Sequence, residues 1–382
     1  MGTMERILRL MVDKRASDIY LSAYSPVLIR INGQCVPINN QILPPDAPLN
    51  LLSEILPPDR IEELQELNEL NMAWSLPNTA RFRISAMRQR GTFAAVIRLI
   101  VNDIPPLESL GLPASLATLM LEKRGLLLMV GATGAGKSTT LAAMIDHRNA
   151  SMSGHILTIE DPVEFLFTNK RSVINQREVG VDTQSAQVAL KNALRQAPDV
   201  IYIGEIRDRE TMSAAIAYAQ TGHLCIATMH ANNSYQALNR VLSFYPVEVR
   251  QTMLGDLAAA MKAIISQRLL RNMAGTRSPT IEIMLNTKLV SDLIAKCDFA
   301  AIQDAMEKSM AEGSQTFEQD IARLITTGVI DRKEGLANAD SPTNLMWRLQ
   351  NDFTARAKAQ EAPQEDPDDQ PTFTEITLDV NH

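Results

Sequence analysis

Residues 131–140 read GATGAGKSTT and follow directly on the apolar run LLLMV at 126–130. The spacing Gly131-x4-Gly136-Lys137-Ser138 is that of a phosphate-binding loop. Glycine lets the backbone turn tightly enough for successive N–H groups to converge on one anion. The candidate nucleotide contacts are therefore Gly131, Ala132, Thr133, Gly134, Ala135, Gly136, Lys137, Ser138 and Thr139. In such a loop the Lys137 ammonium reaches the β and γ oxygens, and the Ser138 hydroxyl ligates Mg²⁺. The flanks agree: 126–130 predicts a buried strand, and 139–148 a helix whose N-terminus adds favourable dipole at the phosphates. The competing reading, a glycine-rich turn that happens to carry Lys-Ser, leaves the loop and both flanks to coincidence. A nucleoside triphosphate with Mg²⁺ is the expected cofactor pair.

With 382 residues the chain is long enough for two or three separate cores. Only 4% of it is aromatic, which disfavours a surface built to stack single-stranded bases. The net charge of −7 is carried entirely by Glu361, Glu365, Asp366, Asp368, Asp369, Glu375 and Asp379, so residues 1–358 are balanced. Neither part has the basic excess of a nucleic-acid translocase, and no nucleic-acid partner is expected. The segment AQEAPQEDPDDQPTF has the acidic, proline-rich composition of a disordered tail, either a solubilising end or a docking peptide. Cys35, Cys225 and Cys297 are scattered, as in a reducing cytoplasm. The N-terminus lacks a signal-peptide core, and no apolar run approaches the ~18 residues that span a bilayer. A cytoplasmic protein with only indirect membrane contact is expected.

Residues 1–100 predict a small α/β domain. ERILRLMVDKR is helical, DIYLSAYSPVLIRINGQCVPI gives two strands broken at Ser25-Pro26, and DRIEELQELNEL is a second helix. ARFRISAMRQRGTFAAVIRLI is a hairpin turning near Gly91. Residues 101–112, with Pro105-Pro106, form a linker. Residues 113–285 alternate strands (LLLMV, HILTIED, VIYIGE, HLCIATM, PTIEIM) with helical patterns, which predicts a mostly parallel sheet. A helical region over 286–350 and the acidic tail over 351–382 complete the chain.

Ligands of parallel α/β sheets bind at the carboxyl ends of the strands. ILTIEDPVEF puts Glu160, Asp161 and Glu164 there, APDVIYIGEIRD puts Glu205 there, and LCIATMHANN puts His230 there. Hydrolysis of a triphosphate needs a polarised, in-line water and a second group near Mg²⁺. Glu164 suits the first role and Glu205, with Ser138, the second. Asp161 ahead of Pro162 equally suits a turn cap, and Glu160 is left open. His230 fits a γ-phosphate sensor. His223 fits either nucleotide contact or a hydrogen bond at the strand start. A zinc site is disfavoured because the spacing matches no common set and a fourth ligand is missing.

Together these stretches resemble the secretion ATPases of type II secretion and type IV pilus systems, and within them the type IV pilus retraction ATPases (the PilT/PilU family). GATGAGKSTT resembles their Walker A, TIEDPVEF their Asp box, DVIYIGEIRD their Walker B and TGHLCIATMHAN their His box. NQREVG and ALRQAPD also match, and the resemblance covers about residues 5 to 350. It implies a PAS-like N-terminal domain, a RecA-like ATPase domain and a hexameric ring. It also implies that two N-terminal-domain arginines reach the nucleotide. The matching positions are Arg83 and Arg98, which pattern alone would make solvated strand charges. By the same likeness His223 and His230 are the His-box pair. Where the main retraction ATPases carry AIRNLIRE, this chain has LVSDLIAK at 289–296, with Ser291, Ala295 and Lys296 replacing Arg, Arg and Glu. That departure and the long tail resemble the PilU-like accessory branch.

The resemblance therefore implies an ATP-hydrolysing motor that assists pilus retraction and twitching motility. Its partners would be a sibling retraction ATPase and the inner-membrane platform protein, at whose base it sits peripherally. The alternatives are a regulatory ring that binds ATP with little or no hydrolysis, and a pilus-assembly or secretion ATPase. The latter usually carries an extra N-terminal domain and a four-cysteine zinc motif, both missing from this sequence.

Overall fold

The computed structural model describes residues 2–361 except 32, 78, 101, 102 and 310, with the backbone alone described over 352–361. Six strands, β1 Asp18–Ser22, β2 Leu28–Ile31, β3 Gln34–Pro37, β4 Glu69–Leu76, β5 Ala80–Gln89 and β6 Thr92–Ile100, form an antiparallel sheet in the order β3-β2-β1-β6-β5-β4. The helix Thr3–Asp13 buries Met4, Leu8 and Met11, one face at helical spacing, into the core of this sheet with Ile19, Phe82, Ile84 and Ile97. The helix Pro58–Leu67 starts on a proline, whose missing N–H costs nothing there, and ends on Asn68 in the left-handed conformation.

The second sheet has seven strands: β7 Gly125–Val130, β8 Gly154–Glu160, β9 Ser172–Glu178, β10 Val200–Ile203, β11 Leu224–Met229, β12 Met261–Arg271 and β13 Arg277–Leu285. Their order is β13-β12-β7-β11-β10-β8-β9, and the run from β12 to β9 is parallel. Buried on both faces, β7 sends Leu126, Leu128 and Val130 into one core and Leu127 and Met129 into the other. That two-sided burial explains why it reads as an unbroken apolar run.

The fold class is the expected one, an α/β chain with an N-terminal α/β domain ahead of a P-loop ATPase domain, but several strands differ from expectation. The first segment makes three strands, because a turn after Ile31 adds β3. ELNMAWSL continues past the helix as β4, beside β5. SVINQRE is β9 and MKAIISQRLLR is β12, the latter lying in a stretch expected to be helical.

By internal packing the chain divides into two units: one runs through Leu269 and includes Ser278–Thr316, and the other comprises Leu270–Arg277 with the chain from Phe317 onward. In the first, Val290, Ile294, Phe299 and Ile302 join the core beside the seven-stranded sheet. In the second, Leu270, Phe317, Ile321, Leu324, Leu345 and Leu349 pack together. A helix spans Pro342–Glu361, so the backbone is helical over the first residues of the expected tail. The remainder of that tail lies outside the described residues. No described helix is long and apolar enough to cross a membrane.

Candidate nucleotide site

The P-loop links β7 to the helix Lys137–Ser151. Gly134 and Gly136 have φ of 78° and 87°, conformations that favour glycine. A Cβ at Gly131 would come within 2.6 Å of the Gln267 carbonyl oxygen, and one at Gly136 within 2.7 Å of its Nε2. At Gly134 a Cβ would meet nothing within 4 Å, so the loop is open on that side. Gln267, buried on β12, donates from Nε2 to the Ala135 carbonyl (2.8 Å) and accepts the Thr140 hydroxyl at Oε1 (2.8 Å). It clamps the loop from the neighbouring strand. The Lys137 Nζ donates to the carbonyls of Gly131 (2.7 Å) and Ala132 (2.9 Å). Burial lowers its pKa, against the opposing fields of Glu205 and Glu164.

The other groups arrive at the same edge because parallel strands end together. Glu160 closes β8, Glu205 follows β10 by two residues and His230 follows β11. With the loop residues Thr133, Gly134, Lys137 and Ser138 they line a cavity of about 500 Å³, joined by Asp161, Glu164, Phe165, Phe167, Tyr202, Arg207 and Arg83. Glu205 is held on both oxygens: Arg207 Nε donates to Oε2 (2.8 Å), and His230 Nε2 lies 3.2 Å from Oε1. Arg207 also pairs with Asp161 (3.4 Å). Gly204 packs closely beside Glu205: a Cβ there would sit 3.2 Å from the Glu160 Cα and from the Ile159 carbonyl oxygen, tighter than an ordinary contact.

Glu160 is buried. Desolvation raises its pKa to about 7, against hydrogen bonds to Oε1 from the Thr158 hydroxyl (2.7 Å) and the Gln176 amide (3.2 Å). Glu164 is exposed in the loop after β8, free to meet a ligand in the cavity.

Arg83 comes from β5 of the first sheet and faces this cavity, without an ion pair among the described residues. Arg98 does not join it. It stands opposite Arg83 on β6, but its Nε donates to Asp18 Oδ1 on β1 (2.9 Å), and its side chain is 63% exposed. The next strand along supplies a carboxylate that draws the guanidinium away. His223 is also outside. It precedes β11 at the edge opposite the P-loop, with Nδ1 near the Tyr218 carbonyl (3.2 Å) and the Thr221 hydroxyl (3.2 Å). A six-residue strand separates it from His230, about 20 Å at 3.3 Å per residue. In this structure His223 makes the hydrogen bond at the strand start.

Arg207, Gln267, Thr140 and Glu178 carry no expectation from the sequence. Arg207 stood inside GEIRD and was available to pattern reasoning. Gln267 and Thr140 were not, because their partnership crosses more than a hundred residues.

The donor set fits a magnesium nucleotide. An open glycine loop at a helix N-terminus, a lysine, a hydroxyl and a carboxylate line one wall, which is what an anion with an oxygen-ligated cation requires. No cluster of three or more His, Cys, Asp or Glu side chains able to hold a metal alone occurs among the described residues, and Mg²⁺ shared with phosphates needs none.

Residues 2–329 match the Type II/IV secretion system protein family. The chain is 45% identical to the type IV pilus ATPase PilU of Pseudomonas aeruginosa, over 89% of this chain and 90% of that protein. It is 36% identical to the type IV pilus retraction ATPase PilT of the same organism, over 86% of this chain and 96% of that one. A crystal structure of the pilus retraction motor PilT with bound ADP superposes with a TM-score of 0.84 at 34% identity, covering 91% of this chain and 99% of that one. With the P-loop, the paired carboxylates and this breadth of likeness in hand, the chain belongs to the type IV pilus retraction ATPases of the Type II/IV secretion system family and is an ATPase of the secretion type.

Proposed function

We propose that the chain hydrolyses ATP as a homohexameric motor ring that assists type IV pilus retraction. The observation that carries the reading is the meeting in one cavity of Lys137, Ser138, Glu164 and Glu205 with Arg83 from the N-terminal sheet. The 131–139 loop holds the phosphates, with Lys137 leaving its carbonyl partners for the β and γ oxygens. Ser138 and Glu205 would hold Mg²⁺, which would supply neutralisation of phosphate charge and orientation of the γ-phosphoryl group. Glu164, exposed in the cavity, takes the proton of the attacking water. His230, tied to Glu205, senses the γ-phosphate, and Arg83 stabilises charge building in the transition state. Arg98, committed to Asp18, acts in this scheme only if the pair opens.

The pilus role rests on the likeness to PilU and PilT. We place the ring in the cytoplasm at the inner-membrane base of the pilus, against the platform protein and beside a sibling retraction ATPase on which coupling depends. Steady-state ATP hydrolysis by the purified protein, with Glu164→Gln as comparison, tests the catalytic reading. Turnover lost by at least about 10²-fold in the variant with ATP binding kept is the expected result. Equal rates in the two proteins would refute the assignment of Glu164.

A further inference from the structure

We infer that Arg81 and Glu178 form a latch through which the N-terminal sheet positions the loop carrying Glu164, an inference that rests on Glu164 being the catalytic carboxylate.

Glu164 sits in an irregular loop, so something outside the loop must set its place. Gln176 donates to the Phe165 carbonyl (2.8 Å) and accepts the Phe167 N–H (2.9 Å), Glu160 accepts the Glu164 N–H, and a further tie leads to the N-terminal sheet. The buried Val163, next to Glu164, donates its backbone N–H to Glu178 Oε2 (3.1 Å). The same oxygen accepts Arg81 Nη2 from β5, in an ion pair whose side chains are 16% and 4% exposed. Glu178 is itself fixed. It ends β9, its N–H donates to Asp182 Oδ2 (2.9 Å), and the following Val179 N–H donates to the Glu160 carbonyl (2.9 Å). Arg60 Nη2 adds a bond to the Gly180 carbonyl (2.8 Å). One buried carboxylate oxygen thus joins the N-terminal sheet to the residue beside Glu164.

Arg81 and Arg83 are two apart on one strand, so their side chains leave the same face about 6.6 Å apart. Arg81 reaches the latch and Arg83 the cavity. Any displacement of β5 therefore moves an arginine at the cavity wall and pulls Val163 in the same stroke. A buried charge pair resists being parted, because each partner left alone is an uncompensated charge in a dry place. The link transmits position and does no chemistry, so Arg81 and Glu178 are positioning residues.

The test is steady-state ATP hydrolysis by the full chain, with binding of a fluorescent ATP analogue and thermal melting measured on each variant. Arg81→Met keeps the stem and removes the charge; Glu178→Gln is isosteric. Each is expected to lower kcat roughly 10- to 100-fold, the scale of a misplaced catalytic group. KM and analogue affinity should stay within about threefold. The double variant should be no slower than the slower single, since both break one link. Arg81→Lys should recover part of kcat. Wild-type kcat in the singles, a fall in melting temperature alone, a rise in KM alone, or losses that multiply in the double variant would each overturn the latch. Should Arg81→Met not fold, Glu178→Gln and Arg81→Lys carry the same comparison. Glu164→Gln run alongside separates the two ideas. If it is inactive while Arg81→Met is fully active, the latch fails and the catalytic assignment stands; if it stays active, the assignment fails.

Discussion

Replacing Gln267 by leucine tests whether the phosphate loop is held in shape from outside itself. The substitution keeps most of the side-chain volume and removes two buried hydrogen bonds of 2.8 Å each, to the Ala135 carbonyl and from the Thr140 hydroxyl. A buried polar group left without a partner costs about 1–3 kcal/mol. Thr140 lies in a helix and can turn its hydroxyl to the carbonyl four residues back, which softens its share. The Ala135 carbonyl has no such recourse within its loop. The sum is about 2–4 kcal/mol. In a thermal melt of the nucleotide-free protein that corresponds to a drop of about 4–8 °C. Because the loop is less preorganised, ATP affinity should fall roughly tenfold. The decisive variant is Thr140→Val combined with Gln267→Leu. Removing the orphaned hydroxyl should return about 1 kcal/mol relative to the sum of the single changes. A Gln267→Leu protein that melts with the wild type, or a strictly additive double variant, would refute the clamp.

Glu160 links the site to pH. Its carboxyl titrates at about 7 in the folded chain, raised from 4.5 by burial, so between those values the folded state holds a proton that the unfolded state has lost. Its contribution is fully present below about 4.5 and is lost as pH rises towards 7. Glu160→Gln, which mimics the neutral acid, should flatten that slope and stabilise the protein above pH 7 by up to about 3 kcal/mol; melting curves from pH 5 to 8.5 with parallel slopes in the two proteins would contradict it. Arg83→Ala should lower ATP turnover at least about 10-fold, whereas Arg98→Ala, whose guanidinium is spent on Asp18, should change it less than about threefold. The reverse order in a hydrolysis assay would show that the Arg98 pair opens in the working enzyme. His223→Ala should leave kcat and KM as they are and cost up to about 1 kcal/mol in a melt, the worth of its bonds at the strand start.

The parts of the molecule that follow from local chemistry were legible. The P-loop is a backbone device, so its glycines and Lys-Ser announce it, and the strands beside it are buried on both faces and stand out as apolar runs. Glu205 and His230 could be placed at the cavity edge because each lies within two residues of the end of such a run. β9 and β12 were obscured for an opposite reason. SVINQRE is an outer strand that itself places polar residues such as Gln176 and Glu178 at its less exposed positions, so no apolar run marks it. MKAIISQRLLR mixes apolar residues with Gln267 and Arg268, which a helix would also accommodate. Arg98 and His223 mark the limit of pattern in the other direction. Family likeness ranks them with site residues; in this structure Arg98 pairs with Asp18 one strand away and His223 lies at the far edge of its strand. No spacing in the sequence reveals either.

Of the carboxyl groups at this edge Asp161 pairs with Arg207 at the rim, and the surroundings of Glu160, Glu205 and Glu164 separate what each can do. Glu160 is buried, neutral-leaning and already receives Thr158 and Gln176, so it is a structural acid at the cavity wall. Glu205 is held by Arg207 on one oxygen and lies against His230 on the other, which fixes its direction and leaves few lone pairs for a moving proton. A carboxylate so held suits a cation's water shell, where orientation matters more than basicity. Glu164 is exposed to the cavity on the same loop as Asp161 but without an ion pair among the described residues, and the loop is tied down beside it through Val163 rather than through its own side chain. The group we propose as proton acceptor is thus the one whose oxygens are left to the ligand, while Glu178, with Glu160 and Gln176, holds its loop and Arg81 ties Glu178 to the N-terminal sheet. That division supports reading the N-terminal domain as part of the catalytic apparatus: it supplies Arg83 to the cavity and, by the same strand, helps set where Glu164 stands.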